Sequence, residues 1–258
     1  MSPQISHAPN THAAVVTGAS TGIGEATVRA LCAAGWTVFA VARRAERLAA
    51  LAQETGAIAV PADVTDDAQV ATLLAAVQAG GGIDTVINIA GGARGADYLG
   101  AAKNEDWDFM LRVNVMGTMK LTRAFLPMLR AHGEGTVLNL TSTAALASYE
   151  GGSGYNAAKA AQRAMTQALR LEEVENNIRV IEVLPGLVHT EEFALRRLGG
   201  NAEAAQAVYR GVEKPLLASD VAEVVSYAVN LPHHVNLDEI VIRPVAQAAN
   251  HKLLRKDS

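Results

Sequence analysis

Tyr155 and Lys159 stand four residues apart in the run YNAAK, residues 155–159. On a helix that spacing puts both side chains on one face, one turn apart. A phenol ordinarily titrates near pH ~10, and an ammonium one turn away favours its phenolate form. The pair is either an acid–base and its tuner or two residues sharing a surface. Ser142, thirteen residues earlier in GTVLNLTS, carries a hydroxyl that can hold a carbonyl oxygen beside the tyrosine. Tyr155 can then protonate that oxygen, or deprotonate an alcohol in the reverse direction. Each residue has a plainer reading when taken singly: Ser142 as a helix cap, Asn114 as a helix kink, Lys159 as a surface charge.

A second chemistry lies near the start, in TGASTGIG, residues 17–24. Gly18, Gly22 and Gly24 let a backbone approach a pyrophosphate, which the free N–H groups of a following helix hold. Alone, a glycine pattern is an ordinary turn; after the first strand of a βαβ unit it reads as a dinucleotide loop. The next strand, TVFAVA, ends in Ala42 and is followed by Arg43 and Arg44, with no acid to take a ribose 2′-hydroxyl. Two guanidiniums favour a 2′-phosphate by charge and fork geometry, and cations at a helix start oppose its dipole unless an anion is bound. The expected cofactor is NADP(H).

The elements that must position these groups alternate along the chain. Apolar runs at AAVVTG, TVFAVA, AIAVPADV, DTVINIAG, GTVLNLTS, IRVIEVLPG and DEIVIRPV are separated by helical patterns, one of them long, from about 104 to 131. Near-continuous apolar strands indicate a sheet buried on both faces. The predicted fold is therefore α/β: a doubly wound Rossmann-type domain with a seven-stranded parallel sheet, covering residues 13–258. Residues 1–12 read as a disordered leader without signal-peptide order. Residues 187–215 are too long for an ordinary connection and read as a substrate lid.

Composition excludes several classes. In 258 residues the net charge is −4, half the residues are hydrophobic and 4% are aromatic, with no basic stripe for nucleic acid. No apolar run reaches the ~18 residues of a membrane span. Cys32 is the lone cysteine and the seven histidines lack ligand spacing, so neither a disulfide framework nor a metal site is expected. The tail HKLLRKDS reads as a solvated C-terminus. A cytoplasmic protein acting on a small molecule is the expectation.

Taken in order, TGASTGIG, NIAG at 88–91, Asn114 in VNVMG, Ser142 in LTSTA, YNAAK and PGLVHT at 185–190 resemble the short-chain dehydrogenase/reductase family over nearly the whole chain. The resemblance implies a catalytic set of Asn114, Ser142, Tyr155 and Lys159, with Lys159 also gripping the nicotinamide ribose and Asn114 anchoring a proton-relaying water. It implies cofactor contacts at Gly18, Ser20, Thr21, Gly22, Ile23, Gly24, Arg43 and Arg44. It extends these to Asp63 and Val64 on the adenine, and to Asn88, Ala90 and Gly91 beneath the adenosine ribose. Pro185, Gly186, Val188 and Thr190 would close on the nicotinamide amide and phosphates. Ile89 replaces the second asparagine of the family's usual pair, which questions one structural hydrogen bond. Thr21 stands where many NADP-preferring members have a basic residue. The resemblance also implies a homotetramer, packed through the long helix and the YNAAK helix.

Within the family, VARRAERL, PGLVHTEEF and LPHHVNLDEIVIRPVAQ resemble the NADP-dependent 3-hydroxy acid (serine-type) dehydrogenases, and similarly the clavulanate-pathway aldehyde reductases. An acid substrate beside Ser142 and Tyr155 needs a cation, for which Arg197, its neighbour Arg196 and Arg94 are candidates. An NADPH-dependent reductase of an uncharged aldehyde or ketone is the alternative. A sensor that binds NADP without chemistry is a third reading, disfavoured because all four polar residues are kept.

Overall fold

The computed structural model describes residues 12–256. In chain order the elements are β1 (Ala13–Thr17), α1 (Gly22–Ala33), β2 (Thr37–Ala42), α2 (Ala45–Thr55), β3 (Ile58–Pro61), α3 (Asp67–Ala79), β4 (Thr85–Asn88) and α4 (Asn104–Leu111). A five-residue π turn, Arg112–Met116, joins α4 to α5 (Gly117–His132). Then come β5 (Thr136–Leu140), α6 (Ser153–Glu173) and β6 (Arg179–Pro185). After β6 lie β7 (Val188–His189), α7 (Phe193–Arg197), α8 (Ala202–Tyr209) and β8 (Leu216–Leu217). The chain continues with α9 (Ala218–Asn230), β9 (Glu239–Ile242), β10 (Gln247–Ala249) and β11 (Lys252–Leu253).

Seven strands form one parallel sheet in the order β3-β2-β1-β4-β5-β6-β9. Successive side chains of a strand point to opposite faces, so neighbours in β1 serve different cores. Val16 packs with Val28 and Leu31 of α1, Leu48 of α2 and Val225 of α9. Val15 packs with Leu73 of α3 and Leu121 and Phe125 of α5. All seven of these side chains from the helices are at most 1% exposed, which explains why the strands read as continuous apolar runs. The chain reverses its strand order between β1 and β4. There the carboxyl ends leave the crevice in which such sheets bind ligands.

Three features depart from the sequence reading. The long helix is interrupted at Asn114 by the π turn, the kind of local widening found at functional sites. The expected leader lies outside the described residues except for His12. That ring stacks on Trp36 at 4.7 Å and lies 2.9 Å from Asp84, so ordered packing begins one residue before β1. The tail is not a free solvated end: β10 and β11 pair as a hairpin, and beyond it Arg255 donates to the carbonyls of Arg210 and Val208 while Lys256 pairs with Glu213. Charged side chains that looked solvated thus clasp the segment after α8. Among the described residues no helix is long and apolar enough to cross a membrane.

Candidate active site

Tyr155 and Lys159 lie in the first two turns of α6, at 9% and 4% exposure. The helix brings them beneath the end of β5, where Lys159 Nζ donates to the carbonyl of Leu140 at 3.1 Å. Nζ lies 5.9 Å from the Tyr155 ring centre. Ser142 follows β5 and does act as a cap: its Oγ accepts from Ala144 N–H at 3.1 Å, heading the short turn Thr143–Ala145. The same hydroxyl reaches the carbonyl of Pro185 at 3.4 Å and lies near enough to the tyrosine to lower its pKa, so cap and site coincide.

The tuning differs from the sequence expectation. Burial pushes the Tyr155 phenol well above its usual range, and neighbouring Tyr149 adds to this. The Ser142 hydroxyl and the positive Arg197 pull the other way without overcoming it. Burial pushes Lys159 down to about 7, against the attraction of Glu182. With desolvation dominating both groups, Tyr155 is a protonated acid at neutral pH.

A buried relay backs the lysine. Lys159 Nζ donates to Gln162 Oε1 at 2.8 Å, Gln162 Nε2 donates to Thr118 Oγ1 at 3.1 Å, and Thr118 Oγ1 donates to the Asn114 carbonyl at 2.8 Å. Gln162 and Asn114 are 0% exposed. The Asn114 side chain bonds both backbone groups of Gly92 and the carbonyl of Met110, which locks the π turn onto the loop after β4. A Cβ at Gly91 would sit 2.5 Å from Asn114 Oδ1, so only glycine permits this contact. Sequence reasoning placed Asn114 and Lys159 but missed Gln162 and Thr118. The signal for Gln162 was a polar residue at i+3 from the lysine on the same buried stripe, and for Thr118 a hydroxyl at i+4 from Asn114.

At the other end of the cleft, Gly18 and Gly22 adopt left-handed backbone, φ 71° and 56°. A Cβ on Gly24 would lie 2.2 Å from the Gly18 carbonyl, so the turn closes only with glycine. Thr21 heads α1 without a side-chain cap. The first-turn N–H groups of α1 therefore remain available to an anion. Gly22 faces Thr190, 3.4 Å from where its Cβ would be, across the groove. Ile23 packs into the core beneath the turn. Ala90 abuts Gly18, and Thr17 Oγ1 accepts from both Ile89 and Ala90 N–H at 3.0 Å, binding this strand end although Ile89 lacks a side-chain donor. These residues fit a dinucleotide's phosphates.

Other expected contacts are placed unevenly. Asn88 is turned inward, donating to Thr122 and Asn139, and its side chain faces the core rather than the cleft. Asp63 accepts from Thr65 and lies 4.0 Å from Arg43, with buried Val64 beside Gly117. Arg44 holds Ser20 Oγ through Nε and Nη2 at 3.1 and 3.0 Å. Pro185 ends β6, Gly186 packs on the Gln247 side chain, and Val188 pairs with Leu216. Among the described residues no group of three His, Cys, Asp or Glu side chains can hold a metal ion.

The segment after β6 covers the tyrosine. The Phe193 ring meets Tyr155 edge-on at 5.8 Å, and the Arg197 guanidinium lies 5.8 Å from the Tyr155 ring centre. Arg197 also donates to the carbonyls of Gly95 and Gly151 and to the Tyr149 hydroxyl, leaving two of its five N–H groups. Arg196 points to Glu192 instead. Arg94 stacks over Phe109 at 4.0 Å and, with Arg197, Trp107 and Met110, lines the cleft in front of Tyr155. Tyr149 and Phe193 were not foreseen as neighbours of the site.

A parallel Rossmann sheet with a Ser–Tyr–Lys set at its carboxyl edge defines a nicotinamide-dependent oxidoreductase. The short chain dehydrogenase family profile matches residues 12–198, and the chain belongs to that family. It is 37% identical over 237 residues to serine 3-dehydrogenase of Agrobacterium fabrum, covering 91% of this chain and 94% of the relative. It is 37% identical over 239 residues to sulfoacetaldehyde reductase of Chromohalobacter salexigens, covering 90% and 94%. The closed form of a serine dehydrogenase complexed with NADP+ superposes with a TM-score of 0.89 at 34% identity, covering 95% of this chain and 100% of that one. As a short-chain dehydrogenase the protein interconverts an alcohol and its carbonyl compound.

Proposed function

We propose that the protein is an NADP(H)-dependent oxidoreductase for an alcohol of the 3-hydroxy acid type and its carbonyl partner, with Tyr155 as general acid–base. The carrying observation is buried Tyr155 and Lys159 with half-buried Ser142 at the carboxyl edge of the sheet, together with a glycine-lined phosphate turn. Bound NADP(H) supplies or accepts the hydride at the substrate carbon. Gly18, Ser20, Thr21, Gly22, Ile23 and Gly24 would hold its phosphates, Asp63 and Val64 the adenine, and Ala90 and Gly91 the adenosine ribose. Pro185, Gly186, Val188 and Thr190 would hold the nicotinamide end, and Tyr155 and Lys159 its ribose.

Ser142 fixes the substrate oxygen, and Tyr155 gives its proton to that oxygen or removes one from the alcohol. Lys159 restores the balance at the tyrosine. Brought down to about 7 by burial, it can gain or lose a proton near neutrality, while the Gln162–Thr118–Asn114 chain of hydrogen bonds holds Nζ in place. The segment 187–215 acts as a lid that excludes water from this exchange. Arg43 and Arg44, with Ser20, support the 2′-phosphate and hence NADP(H), as does the likeness to an NADP+-bound serine dehydrogenase.

Arg197 supports the acid substrate, since serine and sulfoacetaldehyde both carry an anionic group one carbon removed from the reacting carbon. The test is nicotinamide-coupled turnover of L-serine, other 3-hydroxy acids and uncharged alcohols with NADP and NAD. Arg197→Ala should raise KM for the acids about tenfold or more and leave uncharged substrates unaffected. The apolar wall of Phe193, Trp107 and Met110 favours a second reading, reduction of an uncharged aldehyde or ketone. Turnover of uncharged carbonyls alone, indifferent to Arg197→Ala, would establish it. NADPH binding without any turnover would point to the sensor. The same reading takes the protein as a cytoplasmic homotetramer. Exposed Leu171 and Val174, at the end of α6 and just beyond it, suit packing against a copy, and light scattering in solution reads the mass.

A further inference from the structure

Arg44, assigned above to the 2′-phosphate, already holds an anion. Its Nη1 donates to Glu192 Oε1 at 2.6 Å while Nε and Nη2 hold Ser20. Arg47 lies 3.6 Å from the same oxygen, and Arg196 lies 2.7 Å from the other. Glu192 is well enclosed, its side chain 14% exposed. Burial pushes its carboxyl up, but the Arg44 hydrogen bond and the charges of Arg196, Arg44 and Arg47 outweigh this and hold it below the usual range. Glu191, by contrast, is exposed and touches only Arg47. Glu192 comes from the head of α7, 148 residues from Arg44, and the next residue is Phe193 on Tyr155.

We infer that Glu192 is a resident competitor for Arg44 that sets how strongly the protein prefers NADP(H) to NAD(H). The inference rests on the NADP(H) reading above. A phosphate dianion arriving between Arg44 and Ser20 meets a carboxylate in the same guanidinium fork. Either the carboxylate leaves, at the cost of the 2.6 Å pair, or two like charges share one cation. NAD(H) brings no charge to this position and leaves the pair whole. Displaced, Glu192 keeps Arg196 one turn along α7, so the acid has a second resting place. The preference for the phosphorylated cofactor is thus smaller than Arg44 alone would provide.

The experiment is fluorescence titration of NADPH and NADH against wild type, Glu192→Gln, Arg44→Ala and the double variant, with Glu191→Gln as a control for general charge. Glu192→Gln should tighten NADPH binding roughly tenfold and leave NADH within about twofold. That gain should vanish in the Arg44→Ala background, and Glu191→Gln should do little. An unchanged or weaker NADPH affinity in Glu192→Gln, or an equal gain for both cofactors, overturns the inference. If Arg44→Ala selectively weakens NADPH while Glu192→Gln changes nothing, only this inference falls. If wild type shows no preference and Arg44→Ala weakens neither cofactor, the NADP(H) reading falls with it.

Discussion

The two ends of the cleft hold their charges in opposite ways. At the catalytic end, Lys159 is enclosed and bound to two neutral acceptors, Leu140 and Gln162. At the phosphate end, Arg43, Arg44 and Arg47 are one-third to two-thirds exposed and face Asp63, Glu191 and Glu192. A buried cation with neutral partners is shifted by desolvation and becomes a proton carrier. A cluster of opposite charges at the mouth of the cleft can exchange partners. One end is built for moving a proton and the other for exchanging an anion.

The largest way to test this contrast is Tyr155→Phe. Without the phenol, turnover should fall about 10²- to 10⁴-fold while titration shows NADPH still bound. Retained turnover would remove the acid–base role at once. Lys159→Met should also silence turnover, and its stability signature is distinctive. The folded pKa of about 7 lies below the unfolded ~10.4. Between those values the unfolded chain holds a proton the folded chain has lost, so this lysine's cost to stability is relieved as pH rises through the window. Below about 7 both states hold it and the cost is complete. The gain in Tm from Lys159→Met should therefore be greater at pH 6 than at pH 9. An equal gain at both would mean the lysine is not desolvated.

Gln162→Leu probes the relay with a smaller effect. It removes one of two buried partners from Lys159 and from Thr118, leaving the Leu140 and Asn114 carbonyls, and costs about 1–3 kcal/mol of stability. The pH profile of kcat should move, and Gln162→Glu, which places a carboxylate beside the lysine, should move it in the opposite direction by favouring the ammonium. A loss of stability with an unmoved pH profile would make Gln162 a packing residue only. Smallest is Arg43→Ala. Its guanidinium is 62% exposed and 4.0 Å from Asp63, so NADPH affinity should fall only about two- to threefold. A loss matching that of Arg44→Ala would erase the distinction between the two arginines.

Much of this protein was legible from consecutive residues. Seven apolar strands, the glycine turn of residues 17–24, YNAAK and the two arginines after β2 are local patterns. Backbone sterics and side-chain period act over a few residues, and they set these features before any long-range contact forms. Ser142 as a cap and the long segment after β6 followed in the same way. Tertiary structure decided the rest. It turned Asn88 into the core, brought Glu192 onto Arg44 across 148 residues, set Gln162 between Lys159 and Thr118, and clasped the C-terminal arginine over α8. It also enclosed the tyrosine and the lysine, making desolvation the largest influence on both. Spacing on a helix indicates which charge is nearby, whereas burial determines how much each charge costs. Burial is a property of the packed molecule, which five letters cannot carry.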